Sequence, residues 1–306
     1  VIVIVAPGQG SQTPGFLEPW IAEPRFRDHL QLISDTIGID LVAHGTTSDA
    51  DTIRDTAVAQ PLIVAAGLLT LDALFDGDRR SKVGGVAGHS VGEVTASVAA
   101  GILSEADALT FVKARSSAMA AAAALEKTGM SAVIGGDEEA LLARLAELGL
   151  EPANFNGGGQ IVVAGALDAL AKLAEEPVPG TRVIPLQVAG AFHTRYVQPA
   201  VESLREVASS ISPADPTLPI WTNRTGERVE SGTTFVDLMV GQVSSPVRWD
   251  KTMATLQDEG VTGLIELAPA GALVGLAKRG LKGVPTVAVK TPDDLAAAYD
   301  MMNGQA

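Results

Sequence analysis

Residues 82–101 read Lys82-Val83-Gly84-Gly85-Val86-Ala87-Gly88-His89-Ser90-Val91-Gly92-Glu93-Val94-Thr95-Ala96-Ser97-Val98-Ala99-Ala100-Gly101, and this stretch decides the fold. Residues 82–87 form a short apolar run suited to a buried strand. Residues 88–92 are a tight turn, and 93–100 a helix stopped by Gly101. The turn fits G-x-S-x-G. A strand feeding such a turn lifts the serine hydroxyl into the open at the C-terminal edge of a sheet. Glycines on both flanks let the backbone turn without a Cβ clash. The helix N-terminus behind the turn adds partial positive charge and an unbonded N–H at Val91. An oxyanion formed on an attacked carbonyl would sit there. Ser90 is therefore the candidate nucleophile.

A serine hydroxyl near neutral pH needs a base. The chain has four histidines: His29, His44, His89 and His193. His89 is held beside Ser90 and must point elsewhere if Ser90 points out. His29 and His44 lie in an acidic helical region that reads as surface. His193 follows the turn by 103 residues, in Gly190-Ala191-Phe192-His193-Thr194, just after a predicted strand over 182–188. That is a loop position from which a base can reach a serine at a sheet edge, so His193 is the expected base.

Outward from this core, residues 1–5 are a β-rich run ending in Pro7-Gly8. Residues 61–74 read as a buried helix with Pro61 in its first turn. Helical periodicity resumes over 104–125. Between 126 and 187 the pattern changes to strand 130–134, helix 137–148, strands 152–156 and 160–164, helix 167–175 and strand 182–188. That β-α-β-β-α-β order is the ferredoxin-like unit, expected to be self-contained. The fold class expected is α/β. Residues 1–125 and 188–306 build a large hydrolase-like subdomain with a mainly parallel sheet, and residues 126–187 an inserted ferredoxin-like small subdomain.

Composition narrows the function classes. The 306 residues include no cysteine, so disulfide frameworks, Cys metal sites and cysteine nucleophiles are excluded. The charge of −14 argues against a nucleic-acid binder, which would present a basic face. With 46% hydrophobic and 19% charged residues the chain has enough apolar surface to build a core rather than remain disordered. The opening apolar run and the Ala-rich stretch 119–125 are too short to target or cross a membrane, so a cytoplasmic protein is expected. Charge is uneven: residues 1–180 carry 11 Lys/Arg against 23 Asp/Glu, and residues 181–290 carry 11 against 10. An acidic partner would be repelled by the first part and tolerated by the second.

Five segments together resemble one family. They are Gly8-Gln9-Gly10-Ser11-Gln12, Gly88-His89-Ser90-Val91-Gly92-Glu93, Arg115 within residues 111–119, Ala191-Phe192-His193, and Gln242 upstream of Pro246-Val247-Arg248-Trp249. The pattern resembles the malonyl-CoA:acyl carrier protein transacylases and spans nearly the whole chain. The resemblance implies that Ser90 carries the acyl group and that His193 is general base and acid. Gln9 and the Val91 N–H would form the oxyanion hole. Arg115 would pair with the malonyl carboxylate, and the Gln242 backbone carbonyl would orient His193. Asn156 would lie near the thioester. Phe192 before the histidine resembles the malonyl-preferring form. Each assignment suits its chemistry; the planar fork of an arginine, for example, matches a carboxylate. No acidic residue can be assigned as a third triad member.

The resemblance implies ping-pong transfer from malonyl-CoA to the phosphopantetheine thiol of acyl carrier protein, in fatty-acid or polyketide synthesis. It implies no metal or redox cofactor and a monomer. The acidic carrier should dock on the less acidic half, at Lys278-Arg279…Lys282 or at Arg195. One rival is a serine thioesterase or esterase using the same Ser–His pair. Another is a non-catalytic carrier-binding module, against which the retained Ser90 and His193 argue.

Overall fold

The computed structural model describes residues 1–188 and 190–305 and contains two five-stranded sheets. Ten strands are numbered in chain order: β1 Ile2–Ala6, β2 Val83–Gly88, β3 Thr128–Gly135, β4 Glu151–Gly157, β5 Gln160–Ala166, β6 Thr181–Pro185, β7 Ile220–Trp221, β8 Val247–Arg248, β9 Gly263–Glu266 and β10 Thr286–Ala288. The first sheet runs β10-β9-β1-β2-β7, with every pairing parallel. A central parallel strand is buried on both faces, which explains why Ile2-Val3-Ile4-Val5-Ala6 does not alternate with polar residues. Val3 and Val5 enter one apolar cluster with Trp221, Trp249 and Leu264. Ile4 and Ala6 enter the larger one with Leu62, Val86 and Phe111.

Ala6 pairs with Gly88, so the chain leaves β1 and β2 side by side at their C-terminal ends. This places the Gly8–Gln9 loop against the Ser90 turn, the edge of an open α/β sheet where ligands are usually met.

The helix Thr56–Leu74 starts five residues before Pro61, which therefore lies inside it rather than in its first turn. Asp55 accepts a hydrogen bond from the Ala57 N–H and starts the helix there, an N-cap signal stronger than the proline. By length and composition this helix could cross a membrane, but 83% of its most apolar window is buried inside the fold. It is a core helix, packed against the helix Glu105–Ala123.

The second sheet runs β6-β3-β5-β4-β8. Its first four strands, with helices Glu138–Leu148 and Leu167–Glu175, follow the expected β-α-β-β-α-β order. Asp137 caps the first of these helices and Gly149, in the left-handed region, ends it. The predicted strand over 182–188 is shorter, Thr181–Pro185, and ends where the chain turns toward His193. The unit is not self-contained. Val247–Arg248 joins the sheet parallel to β4, and Met130, Ala132, Ala153, Val162 and Ala164 belong to the main apolar cluster. Alternation explains the second point: one face of β3 and β5 packs under the two helices, the other against the large core. The space left between that inner face and the edge of the parallel sheet becomes the cavity described next.

Candidate active site

The turn after β2 has the strain expected of an exposed nucleophile. Ser90 has φ 54°, and a Cβ at Gly88 would lie 2.1 Å from the Gly92 carbonyl carbon. A Cβ at Gly92 would lie 2.1 Å from the Ala6 carbonyl oxygen. Both glycines are thus required by close backbone approach, and the helix Gly92–Ala99 can start directly behind the serine. Asn223 holds the turn from the next strand over. Its Oδ1 accepts the Ser90 N–H at 2.7 Å, and its Nδ2 donates to the Gly88 carbonyl at 2.5 Å.

His193 Nε2 lies 2.8 Å from Ser90 Oγ. The helix Gly232–Gln242 positions the ring with its free C-terminal carbonyls. The Val243 carbonyl accepts the His193 backbone N–H at 2.9 Å, and the Gln242 carbonyl lies 2.8 Å from Nδ1. A carbonyl only accepts, so Nδ1 carries the proton and Nε2 presents a lone pair to the serine O–H. His193, too, has positive φ, 62°. Among the described residues only three non-glycines do, and two of them are this serine and histidine. Burial, and then the nearby Arg115 charge, push the His193 pKa down to about 3, so the imidazole rests neutral.

Arg115 sits on the buried face of the helix Glu105–Ala123 and is 1% exposed. Its Nη2 lies 3.4 Å from Ser90 Oγ and donates to Gln242 Oε1 at 2.7 Å; Nη1 donates to Gln60 Oε1 at 2.6 Å. Both strong contacts are to neutral amide oxygens, and among the described residues no carboxylate is bound to the guanidinium. Burial lowers its pKa to about 10, which still leaves it charged near neutrality. The carboxylate in the vicinity is Glu93, fully buried, with a pKa that burial pushes up to about 8 against the Asn223 N–H and the Arg115 charge. Glu93 Oε1 accepts the Asn223 N–H at 2.7 Å, and Oε2 accepts from Gln242 Nε2.

Ser90, His193 and Gln60 line a cavity of about 670 Å³. Gln9 lines it, with its side chain tied to Thr56 Oγ1 at 3.2 Å. Neither the Gln9 nor the Val91 N–H has a hydrogen-bond partner among the described residues. Phe192, 5% exposed, lines the cavity beside His193. Asn156 also lines it; its Oδ1 meets His89 Nε2 at 2.9 Å, and its Nδ2 donates to Gln160 Oε1. His89 is turned away from the serine, as its neighbour's exposure demands, and packs edge-on to Trp249. His29, expected at the surface, is instead half-buried, because its ring ties two helices together through Glu105 at 2.8 Å.

Ser90, His193, Gln9, Phe192 and Asn156 line this cavity, whereas Arg115 and Gln242 stand behind its wall in contact with Ser90 and His193, and Val91 follows Ser90 in the turn. The docking candidates divide: Arg195 is ion-paired with Glu151, whereas Lys278, Arg279 and Lys282 are exposed and Arg279 lines the cavity. Sequence reading missed Asn223, Glu93 and Gln60. Glu93 left a trace as the one charged residue of its helix, and Gln60 as the one polar residue between Ala57 and Leu69.

The chain matches the acyl transferase domain family over residues 3–294. It is 49% identical over 299 residues to the malonyl CoA-acyl carrier protein transacylase of Mycobacterium bovis, covering 96% of this chain and 98% of that protein. The crystal structure of MCAT from Mycobacterium tuberculosis matches with a TM-score of 0.91 at 48% identity, over 97% of this chain and 98% of that one. A malonyl-transacylase solved in complex with its type II PKS acyl-carrier protein matches with a TM-score of 0.92 at 29% identity, over 98% and 99%. The chain belongs to the acyl transferase family and, within it, to the malonyl CoA-acyl carrier protein transacylases.

Proposed function

We propose that this protein transfers the malonyl group of malonyl-CoA to the phosphopantetheine thiol of acyl carrier protein through an ester on Ser90. The observation that carries the reading is Arg115: a buried cation held by two neutral amides, 3.4 Å from the serine oxygen and free to take an acyl carboxylate. His193 Nε2 takes the serine proton as Oγ attacks the thioester carbon. The N–H groups of Gln9 and Val91 receive the oxyanion. When the tetrahedral intermediate collapses, the C–S bond breaks and CoA leaves as a thiol with the proton from Nε2. The carrier thiol then gives its proton to Nε2 and attacks the ester, and the proton returns to Ser90.

A neutral carbonyl at Nδ1 orients the ring without the added basicity that a carboxylate would supply. That suits an ester which must wait for a thiol rather than meet water. Asn156, on the cavity wall, is read as lying near the thioester.

Base, nucleophile and oxyanion donors are all side chains or amides of this chain, so the chemistry calls for no cofactor, and a monomer suffices. Malonyl-CoA is a substrate, and phosphopantetheine arrives on the partner. A cytoplasmic setting follows from charged substrates that do not cross membranes unaided, and the product supplies fatty-acid or polyketide chain extension. Product analysis tests the reading against a thioesterase. With malonyl-CoA and holo carrier protein, malonyl-carrier should exceed free malonate at least ten-fold. Free malonate as the main product would mean a hydrolase.

A further inference from the structure

Glu93 closes the motif at the nucleophile turn yet takes no part in the chemistry above, and it is 1% exposed. Its two oxygens meet two different donors, the fixed backbone N–H of Asn223 and the Nε2 of Gln242. The same Nε2 lies 3.1 Å from the Ser90 carbonyl and 3.2 Å from Asn223 Oδ1. Every neighbour on that side of the Gln242 amide is an acceptor, so its NH2 must face them and its Oε1 must face Arg115. We infer that Glu93 is a positioning residue for acyl selectivity, acting through the side-chain amide of Gln242 to aim the Arg115 guanidinium at the acyl carboxylate.

The arrangement has a physical logic. A carboxylate bonded directly to Arg115 would hold it firmly but occupy the charge that the substrate needs. A neutral amide between the two passes on the orientation and leaves the charge open. Gln60 does the same at Nη1. Glu93→Gln is close to isosteric but carries one acceptor where the ionised Glu93, the form in which both oxygens can accept, has two; the variants are therefore compared at pH 9, above the Glu93 pKa of about 8. With the Asn223 N–H held by the backbone, the new NH2 would face Gln242 Nε2, donor against donor, and displace that amide from Arg115. His193 is spared, because it is held by the Gln242 and Val243 main-chain carbonyls rather than by the Gln242 side chain.

The inference rests on the reading of Arg115 as the acyl-carboxylate partner, and the test separates the two. Acylation of the intact protein is followed by rapid-quench mass measurement with malonyl-CoA and with acetyl-CoA. Arg115→Met alone must collapse the malonyl:acetyl ratio of kcat/KM; if it does not, the Arg115 reading fails. Given that collapse, Glu93→Gln should lower the malonyl kcat/KM about ten-fold, chiefly through KM, and the acetyl value less than three-fold. In the Arg115→Met background it should leave the ratio where it is. Equal loss for both acyl groups, no loss, or a further fall in the double variant would overturn the inference. Gln242→Leu, measured alongside, cuts the relay with Glu93 intact and should shift the ratio in the same direction. Should the Glu93→Gln chain fail to fold, an unchanged ratio in folded Gln242→Leu overturns the inference by itself.

Discussion

Arg115 Nη2 stands 3.4 Å from Ser90 Oγ, so the guanidinium lies directly behind the acyl-accepting oxygen, which itself lines the cavity. An acyl group on Ser90 that carries a carboxylate two carbons away can close an ion pair there, and one without it leaves a buried cation unpaired. Arg115→Met should therefore reduce malonyl acylation by on the order of 10²-fold or more and leave acetyl acylation equal or improved. Single-turnover acylation rates with the two thioesters check this; parallel losses would remove Arg115 from selectivity.

Phe192 controls a different part of the acyl group. It lines the cavity next to His193 and is nearly fully buried, and the proposed role of its ring is to crowd an α-substituent of the malonyl group. Phe192→Ser should raise methylmalonyl use relative to malonyl use by about ten-fold, measured as the ratio of kcat/KM values. The same ratio before and after would limit Phe192 to anchoring the loop.

Carrier docking should follow charge. Lys278, Arg279 and Lys282 surround the end of the helix Ala272–Gly280, exposed and with no ion-pair partner among the described residues. Arg195, by contrast, is already neutralised by Glu151. On a chain of charge −14, a local positive patch at the cavity mouth is what can steer an acidic partner. Reversing Lys278 and Lys282, which do not line the cavity, should raise the KM for carrier several-fold at low salt. Salt near 0.5 M should shrink the difference. The KM for malonyl-CoA should move less. Unchanged carrier kinetics at low salt would move the docking surface elsewhere.

One stability effect has a sign set by pH. Glu105 bonds to the half-buried His29, and that hydrogen bond, outweighing desolvation, raises the histidine pKa above its ordinary 6.5. The folded state binds the proton more tightly than the unfolded one. The pair's contribution is therefore complete below pH 6.5 and is lost as pH rises through the raised folded value. His29→Gln should cost about 0.5–1 kcal/mol at pH 5.5 and close to nothing at pH 9, read from denaturant midpoints. A deficit that grows with pH would contradict the assignment.

What could be read from the sequence was local. The strand–turn–helix around Ser90 is written in consecutive residues, as is the capped helix from Asp137 to Gly149, because glycines, caps and periodicity act over a few positions. Arg115 was legible only through the family resemblance; the structure places it on the buried face of its helix with Phe111 and Met119. The contributions of Asn223 and of Val247–Arg248 were not legible. Asn223 meets the turn across 133 residues, and the edge strand β8 joins a sheet whose other members end more than 60 residues earlier. Such pairings depend on how the sheets stack, which no local pattern specifies. The true start of the Thr56–Leu74 helix was hidden for a smaller reason: Pro61 is a stronger visual signal than the Asp55 cap, but the cap closes the backbone bonds.

The central claim is that the malonyl group waits on Ser90 as an ester. Intact mass of the protein, taken after mixing with malonyl-CoA and again after adding holo carrier protein, tests it most directly, with peptide mapping of the labelled species. The account predicts the gain of one malonyl group, mapped to the peptide containing Ser90, discharged by carrier thiol and absent in Ser90→Ala. A malonyl adduct that persists in folded Ser90→Ala, or transfer to carrier without any adduct on the wild-type chain, would contradict it.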